Sequence, residues 1–197
     1  MGRPREHDER TRARLLEAAS RILAVEGSAA LSVRRIANEV GTTTRAIYSL
    51  FGSKQGLVRA LCHDGFAALD RRVAAVVPTD DPAADLTAML AAYRASALER
   101  PDLYQVMFAA TPPFEPTPAE QAFSLRSLDR LRATVTRGVD AGAFPGRDPH
   151  QLTMQIWALA HGLASLELRG AFPTRHSAHA CWQEATAALL AGYRQPT

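Results

Sequence analysis

The stretch Ser32–Phe51, SVRRIANEVGTTTRAIYSLF, decides the fold. It holds two short segments with apolar residues at helical spacing: Val33, Ile36, Ala37 and Val40, then Ala46, Ile47, Leu50 and Phe51. Between them stands Gly41, and glycine takes the left-handed conformation that ends a helix without a steric penalty. The second segment opens with three threonines and an arginine. This is the pattern of a helix-turn-helix, in which one helix braces and the other lies in a major groove with its first turn toward the base edges. The implied partner is double-stranded DNA. Thr42, Thr43 and Thr44 can bond to bases or phosphate, and Arg45 can fork onto guanine, a contact worth about 1–3 kcal/mol of discrimination. Tyr48 falls one helical turn beyond Arg45, where its hydroxyl reaches toward the backbone. Lys54 suits a phosphate beside a positive helix end. Arg34 and Arg35 are further phosphate or base-edge candidates, and Arg3 and Arg5, on an expected flexible arm around Pro4, suit an adjacent minor groove.

Outward from this core the chain reads as helix almost throughout. One helix is expected from about Asp8 to Glu26, with Leu15, Ala19, Ile22 and Leu23 on one face and Gly27 as its stop. Ser32 and Ser53 stand at N-cap positions, the latter before a long helix reaching about Val77. Further helices are expected over 82–99, from Pro101, over 119–141, over 149–168 behind the Asp148-Pro149 start, and over 176–193. The proline-rich run Thr111–Pro118 is a loop. The fold class is therefore all-α, with about nine helices. A three-helix DNA-binding domain occupies 1–60, its helix-turn-helix at 32–51, and a helical bundle follows over 61–197.

Charge follows the same division. Residues 1–60 carry ten arginines and Lys54 against six acids, a net +5, whereas 61–197 carry twelve arginines against fourteen acids, a net −2. A basic end on a mildly acidic body fits a polyanionic partner. Cys62 and Cys181 form no CxxC and have no histidine at metal spacing, so no metal or other cofactor is expected. Both read as small core residues in a reducing compartment. The charged amino terminus is no signal peptide, and no apolar run reaches the 18 or so residues that span a bilayer. The expected location is the cytoplasm, with no membrane partner.

The block from about Arg10 to Leu61 resembles the DNA-binding domain of the tetracycline-repressor (TetR) family. The resemblance rests on a first helix ending in Glu26-Gly27, on LSVRRIANEVGTTTRAIYSLFGSKQGLVRAL, on Tyr48, on the closing Phe51 and on Ser53-Lys54. It implies that Tyr48 and Lys54 contact phosphate and that Arg34, Thr44 and Arg45 face bases. Arg45 stands where the family often has a small residue, which marks it as a specificity determinant. Trp157, His161 and Gly162 are similar to the tryptophan–histidine–glycine signature of a TetR-type regulatory domain, and PDLYQVMF from Pro101 is similar to a helix that recurs there.

Ligand pockets are mostly apolar with few polar groups. In the second half Phe66, Met89, Tyr93, Tyr104, Phe108, Trp157 and His161 are the candidates to line one, for a small and mainly apolar effector. Such residues at helical spacing are also ordinary core. His161 reads equally as core, as the pocket's hydrogen-bonding group and as a pH-sensitive contact. Close helix approach is expected at Gly162. The last two helices carry apolar faces, Met154, Trp157, Ala158, Leu163 and Leu166 on one and Ala180, Ala185, Ala188, Leu189 and Tyr193 on the other. By the resemblance they form a four-helix homodimer interface. One short reading helix also covers too few bases alone, so two copies are needed. The expected function is a ligand-responsive repressor of a palindromic operator. The rivals are an activator of the same fold, a nucleoid-type binder without an effector, and an all-helical carrier or enzyme. No nucleophile elbow, HExxH, phosphate loop or GxGxxG supports an enzyme.

Overall fold

The computed structural model describes residues 3–27, 30–109 and 114–194, and the side chains of residues 3–7 lie outside that description. Its regular structure is helical throughout the described residues: α1 (Arg3–Glu26), α2 (Val33–Val40), α3 (Thr44–Phe51), α4 (Lys54–Ala74), α5 (Pro82–Glu99), α6 (Pro101–Met107), α7 (Pro118–Ser124), α8 (Arg126–Asp140), α9 (Pro149–Leu168) and α10 (Arg175–Tyr193). The all-α class agrees with the sequence. Two details differ. The segment expected as one helix over 119–141 is broken at Leu125, which raises nine helices to ten. Helix α1 begins at Arg3, because proline is tolerated in a first turn, where its missing N–H has no helical partner anyway. The backbone at Arg3 and Arg5 is therefore helical rather than a flexible arm, and their side chains lie outside the described residues.

The chain divides into two compact units, residues 1–67 with 100–123, and residues 68–99 with 124–197. The first unit is built on Leu15, Ala19 and Ile22 of α1, Ile36 and Val40 of α2, Ile47 of α3, and Leu57 and Leu61 of α4, all buried. Each such side chain contributes about 1.5–3 kcal/mol of transfer free energy. Helix α6 adds Leu103 and Val106 to the same core and packs along α1. Arg59 of α4 fastens the following segment. It is ion-paired with Glu120, donates to the Glu115 carbonyl at 2.9 Å and lies over the Phe114 ring. That pairing, with the Thr117 N–H and hydroxyl, holds the Glu120 carboxyl down at about 2. His63 stacks on Phe123 at 4.2 Å. Helix α7 thus belongs with the first half of α4, while α8 packs on α5 and α9, and the break at Leu125 falls where the chain passes from one unit to the other.

The second unit packs α5, α8, α9 and α10 with the last turns of α4. Phe144 is fully buried, and its ring would lie 2.4 Å from a Cβ at residue 138, so glycine there is what lets the ring close over α8. Asp148 caps α9 through the His150 N–H at 3.1 Å, and Thr174 and Ser177 form a reciprocal capping box on α10. Asp85 is buried on α5. Burial pushes its carboxyl up, but the Thr79 N–H and hydroxyl and the Arg137 guanidinium outweigh it and hold the group below its ordinary value.

Candidate functional site

The turn between α2 and α3 is fixed by local bonds. Gly41 sits at φ 72° and ψ 38°, and the Thr42 N–H closes the end of α2 on the Ala37 carbonyl at 2.8 Å. Ser32 occupies the N-cap position of α2 without a side-chain bond there. Thr43 caps α3, its hydroxyl accepting from the Ala46 N–H at 3.2 Å. Helix α3 turns Ile47 into the core, with Leu50 and Phe51 packed beside it and Ala46 half-buried. Its other face is open: Thr44, Arg45 and Ser49 are exposed, and Tyr48 keeps 53% of its surface. An exposed tyrosine between exposed polar groups is a surface shaped to meet something. Thr42 is half-buried, so the outward hydroxyls are those of Thr43 and Thr44.

The basic residues here fall into two classes. Arg12 pairs with Asp64 at 3.3 Å, Arg21 with Glu39, and Arg35 forks onto Glu26 at 2.8 and 2.5 Å. These bonds tie α1 to its neighbours, and the Arg35 fork holds the Glu26 carboxyl below its ordinary range. Arg34 and Arg45, both exposed, make no ion pair with any described residue. Lys54 is exposed at the first position of α4, one residue after Ser53, whose hydroxyl accepts from the Gly56 N–H at 2.9 Å. Arg34, Thr44, Arg45, Tyr48 and Lys54 thus lie exposed on or beside the helix-turn-helix, while Arg35 is already engaged. The Arg35–Glu26 fork had no signal in the sequence, because the two residues lie in different helices at no fixed spacing.

In the second unit a cavity of about 30 Å³ is lined by Met89, Leu90 and Tyr93 of α5, Ser127, Leu128 and Leu131 of α8, Trp157 and Ala160 of α9, and Val73 of α4. Three of the expected effector residues, Met89, Tyr93 and Trp157, meet there. His161 joins them indirectly: its Nδ1 lies 3.1 Å from the Tyr93 hydroxyl, and its ring lies 5.8 Å from that of Trp157. Burial lowers the His161 pKa below its ordinary value, which favours the uncharged imidazole. The other three, Phe66, Tyr104 and Phe108, lie in the first unit. They pack on one another, with Phe66–Phe108 centroids at 5.7 Å and Tyr104–Phe108 centroids at 4.8 Å.

The outer faces of α9 and α10 carry exposed apolar residues among polar ones such as Gln151, Gln155, Gln183 and Glu184. Met154, Ala158 and Leu166 are exposed at four- and eight-residue spacing, and Ala187, Ala188 and Ala191 are exposed on α10. A Cβ at Gly162 would meet nothing within 4 Å, so the close approach expected there does not occur among the described residues. Leu163 and Tyr193, read from sequence as part of these faces, are buried in the chain's own core. Helical spacing alone does not separate the two sides of a helix that is apolar nearly all round. No helix of the described residues is long and apolar enough to cross a membrane, and no group of three or more His, Cys, Asp or Glu among them is placed to hold a metal ion.

Comparison with known proteins gives a consistent result. Residues 15–61 match the family model described as bacterial regulatory proteins, tetR family, and residues 86–189 match the one described as tetracyclin repressor-like, C-terminal domain. Among solved structures the fold is similar to that of PfmR, a TetR family transcriptional regulator from Thermus thermophilus. The TM-score is 0.79 and the identity 22%, over 92% of this chain and 100% of that one. It is also similar to the ketosteroid transcriptional regulator KstR2 of Mycobacterium tuberculosis, with TM-score 0.76 and 21% identity over 93% and 95%. The fatty acid degradation regulator FadR from Bacillus halodurans has TM-score 0.76 and 16% identity over 91% and 98%. No curated protein sequence matches this chain significantly.

Proposed function

The chain belongs to the tetR family of bacterial regulatory proteins and is a DNA-binding transcriptional regulator rather than an enzyme, and on that premise we propose that it acts as a homodimeric repressor released by a small molecule. The observation that carries this reading is the open face of α3. Thr44, Arg45 and Tyr48 stand outward from a helix whose opposite side is locked into a core by Ile47. Arg45 and Thr44 face bases, with Arg34 beside them, and Tyr48 and Lys54 hold phosphate. The Thr43 cap and the Thr42 turn set the pitch of α3. Arg35 reaches phosphate only by leaving Glu26, so it adds least of the set.

Two copies join through the outer faces of α9 and α10, where Met154, Ala158, Leu166 and the α10 alanines supply the apolar area and Gly162 the room for close approach. The effector enters the second unit at Met89, Tyr93 and Trp157. Helix α4 carries the signal, because one continuous helix holds Lys54 at its start and Val73 of the cavity wall near its end. An effector that prefers the wrong spacing of the two reading heads lowers operator affinity by the ratio of its affinities for the two states, typically about 1–3 kcal/mol. This regulation takes place in the cytoplasm.

Binding measured against salt tests the assignment. The wild-type chain is expected to lose affinity steeply as salt rises. Lys54→Ala weakens binding to all DNA about equally. Each lost phosphate contact makes the log–log salt slope shallower by about 0.9, and a dimer loses two. An unchanged slope in Lys54→Ala, with affinity reduced, contradicts the phosphate role.

A further inference from the structure

The second unit holds a second cavity, of about 230 Å³, lined by Val76 and Pro78 after α4, Asp85 on α5, and Arg130, Ala133 and Thr134 on α8. It shares two wall residues, Val73 and Met89, with the smaller Trp157 cavity. Val73 and Met89 therefore border both cavities. One of those is a methionine, an unbranched thioether with three rotatable bonds. Neither cavity alone is large: pockets for small molecules usually run to about 300–1,000 Å³, and 30 Å³ holds little more than one water. With Met89 swung aside the two become one slot running along α8 from Thr134 past Leu131 to Ser127. That stretch of helix spans about 10 Å.

The charges along the slot decide what it can accept. Its charged lining groups are Asp85 and Arg130, and both are already compensated. Asp85 accepts from the Thr79 N–H at 3.0 Å and the Thr79 hydroxyl at 2.7 Å, and it is paired with Arg137. Arg130 donates from Nε to Asp70 at 2.6 Å. A carboxylate or ammonium finds no uncompensated counter-ion here: at the open wide end, where the Arg130 side chain keeps 48% of its surface, it gains little over water, and at the narrow end, lined by no charged group, it is costly to bury. A hydroxyl or carbonyl loses far less, and the lining includes Thr134 at the wide end and Ser127 at the narrow end, both hydroxyl-bearing residues.

We propose that the effector of this chain is an uncharged, elongated, mainly apolar molecule with a single hydroxyl or carbonyl at one end, seated across both cavities after Met89 swings aside. This rests on the reading that the second unit binds an effector, and it names the chemical class that the site takes.

The test uses the full chain and three probes of one length: octan-1-ol, octanoate and octylammonium at pH 7.5. Binding is read by calorimetry and by tryptophan fluorescence. Octan-1-ol is expected to bind at least tenfold more tightly than either ion. Ala133→Trp, at an exposed position that tolerates a large side chain, and Met89→Phe, which stiffens the shared wall, are each expected to weaken octan-1-ol at least tenfold. Retained α-helical circular dichroism and a melting temperature within about 3 °C of wild type show that either variant is folded. Octanoate or octylammonium binding as tightly as the alcohol overturns the charge argument. Unchanged octan-1-ol affinity in a folded variant, or no binding by the wild type, overturns the shared slot. Operator release is measured separately: an alcohol that binds as expected but leaves operator affinity unchanged counts against the repressor reading and leaves the site standing.

Discussion

Gly56→Ala is expected to lower the melting temperature by about 5–10 °C and to abolish specific DNA binding. A Cβ built at residue 56 lies 2.0 Å from the carbonyl oxygen of Phe51 and 3.1 Å from its carbonyl carbon. The obstacle is backbone, so no rotamer change relieves it, and the α3–α4 turn must open. Alanine favours a helix over glycine by about 1 kcal/mol. Overpacking typically costs about 1–3 kcal/mol, and a rigid obstacle puts this case at or beyond the upper end, so the clash wins. A net loss of about 2–3 kcal/mol corresponds to roughly that fall in melting temperature for a chain of this size. The functional loss exceeds the stability loss, because the same turn places Tyr48 and Lys54. Gln55→Ala, at the exposed neighbouring position, is the control and is expected to change neither quantity. A melting temperature in Gly56→Ala within about 2 °C of wild type would show that the turn gives way cheaply.

Removing the Glu167 carboxylate is the second large effect. Arg94 of α5 donates to it from Nε at 2.9 Å and from Nη2 at 2.6 Å, and Trp182 of α10 donates its indole N–H at 2.8 Å. Arg94 also contacts His179 Nδ1 at 2.9 Å and lies 5.8 Å from the Trp182 ring centre. The side chains of Arg94 and Glu167 are 17% and 11% exposed, so the pair is largely withdrawn from water. The Arg94 hydrogen bonds lead in holding the Glu167 carboxyl below its ordinary value. Breaking a buried pair by removing one partner costs about 3–5 kcal/mol. The residual exposure here places Glu167→Ala near about 2–4 kcal/mol, read by urea unfolding. Much of that loss is the penalty of leaving a guanidinium and an indole N–H unpaired. The double variant Arg94→Met with Glu167→Leu should therefore be more stable than Glu167→Ala alone. A double variant less stable than the single one would mean that the network is worth more than an apolar replacement.

Local chemistry made much of this structure legible in the sequence. Gly41 and the apolar spacing around it give the bounds of α2 and α3, Asp148-Pro149 gives the start of α9, and Pro82 gives that of α5. These signals act within one or two turns of helix. What the sequence did not show depends on contacts between distant segments. The break at Leu125 has no glycine or proline to mark it and follows from α7 and α8 packing in different units. Helix α6 carries Leu103 and Val106 into the first unit's core, although it follows α5 in the chain. The pairing of Arg35 with Glu26 separates it from Arg34, its neighbour and chemical twin. In the second half, helical periodicity could not tell that Met89, Tyr93 and Trp157 line one cavity while Phe66, Tyr104 and Phe108 pack on one another in the first unit, since spacing within a helix does not say which helix lies opposite. The same blindness placed Leu163 and Tyr193 on an outer face.

Sequences selected from random duplex DNA by the purified protein test the central claim most directly, namely that the open face of α3 reads a major groove and does so in pairs. The expected result is a two-fold symmetric motif whose half-sites lie about 34–36 Å apart centre to centre, or a multiple of that. Arg45→Ala should lose its preference at one base pair in each half and keep the rest of the motif. No enrichment over random sequence, or an enriched motif that Arg45→Ala leaves unchanged, would contradict the account.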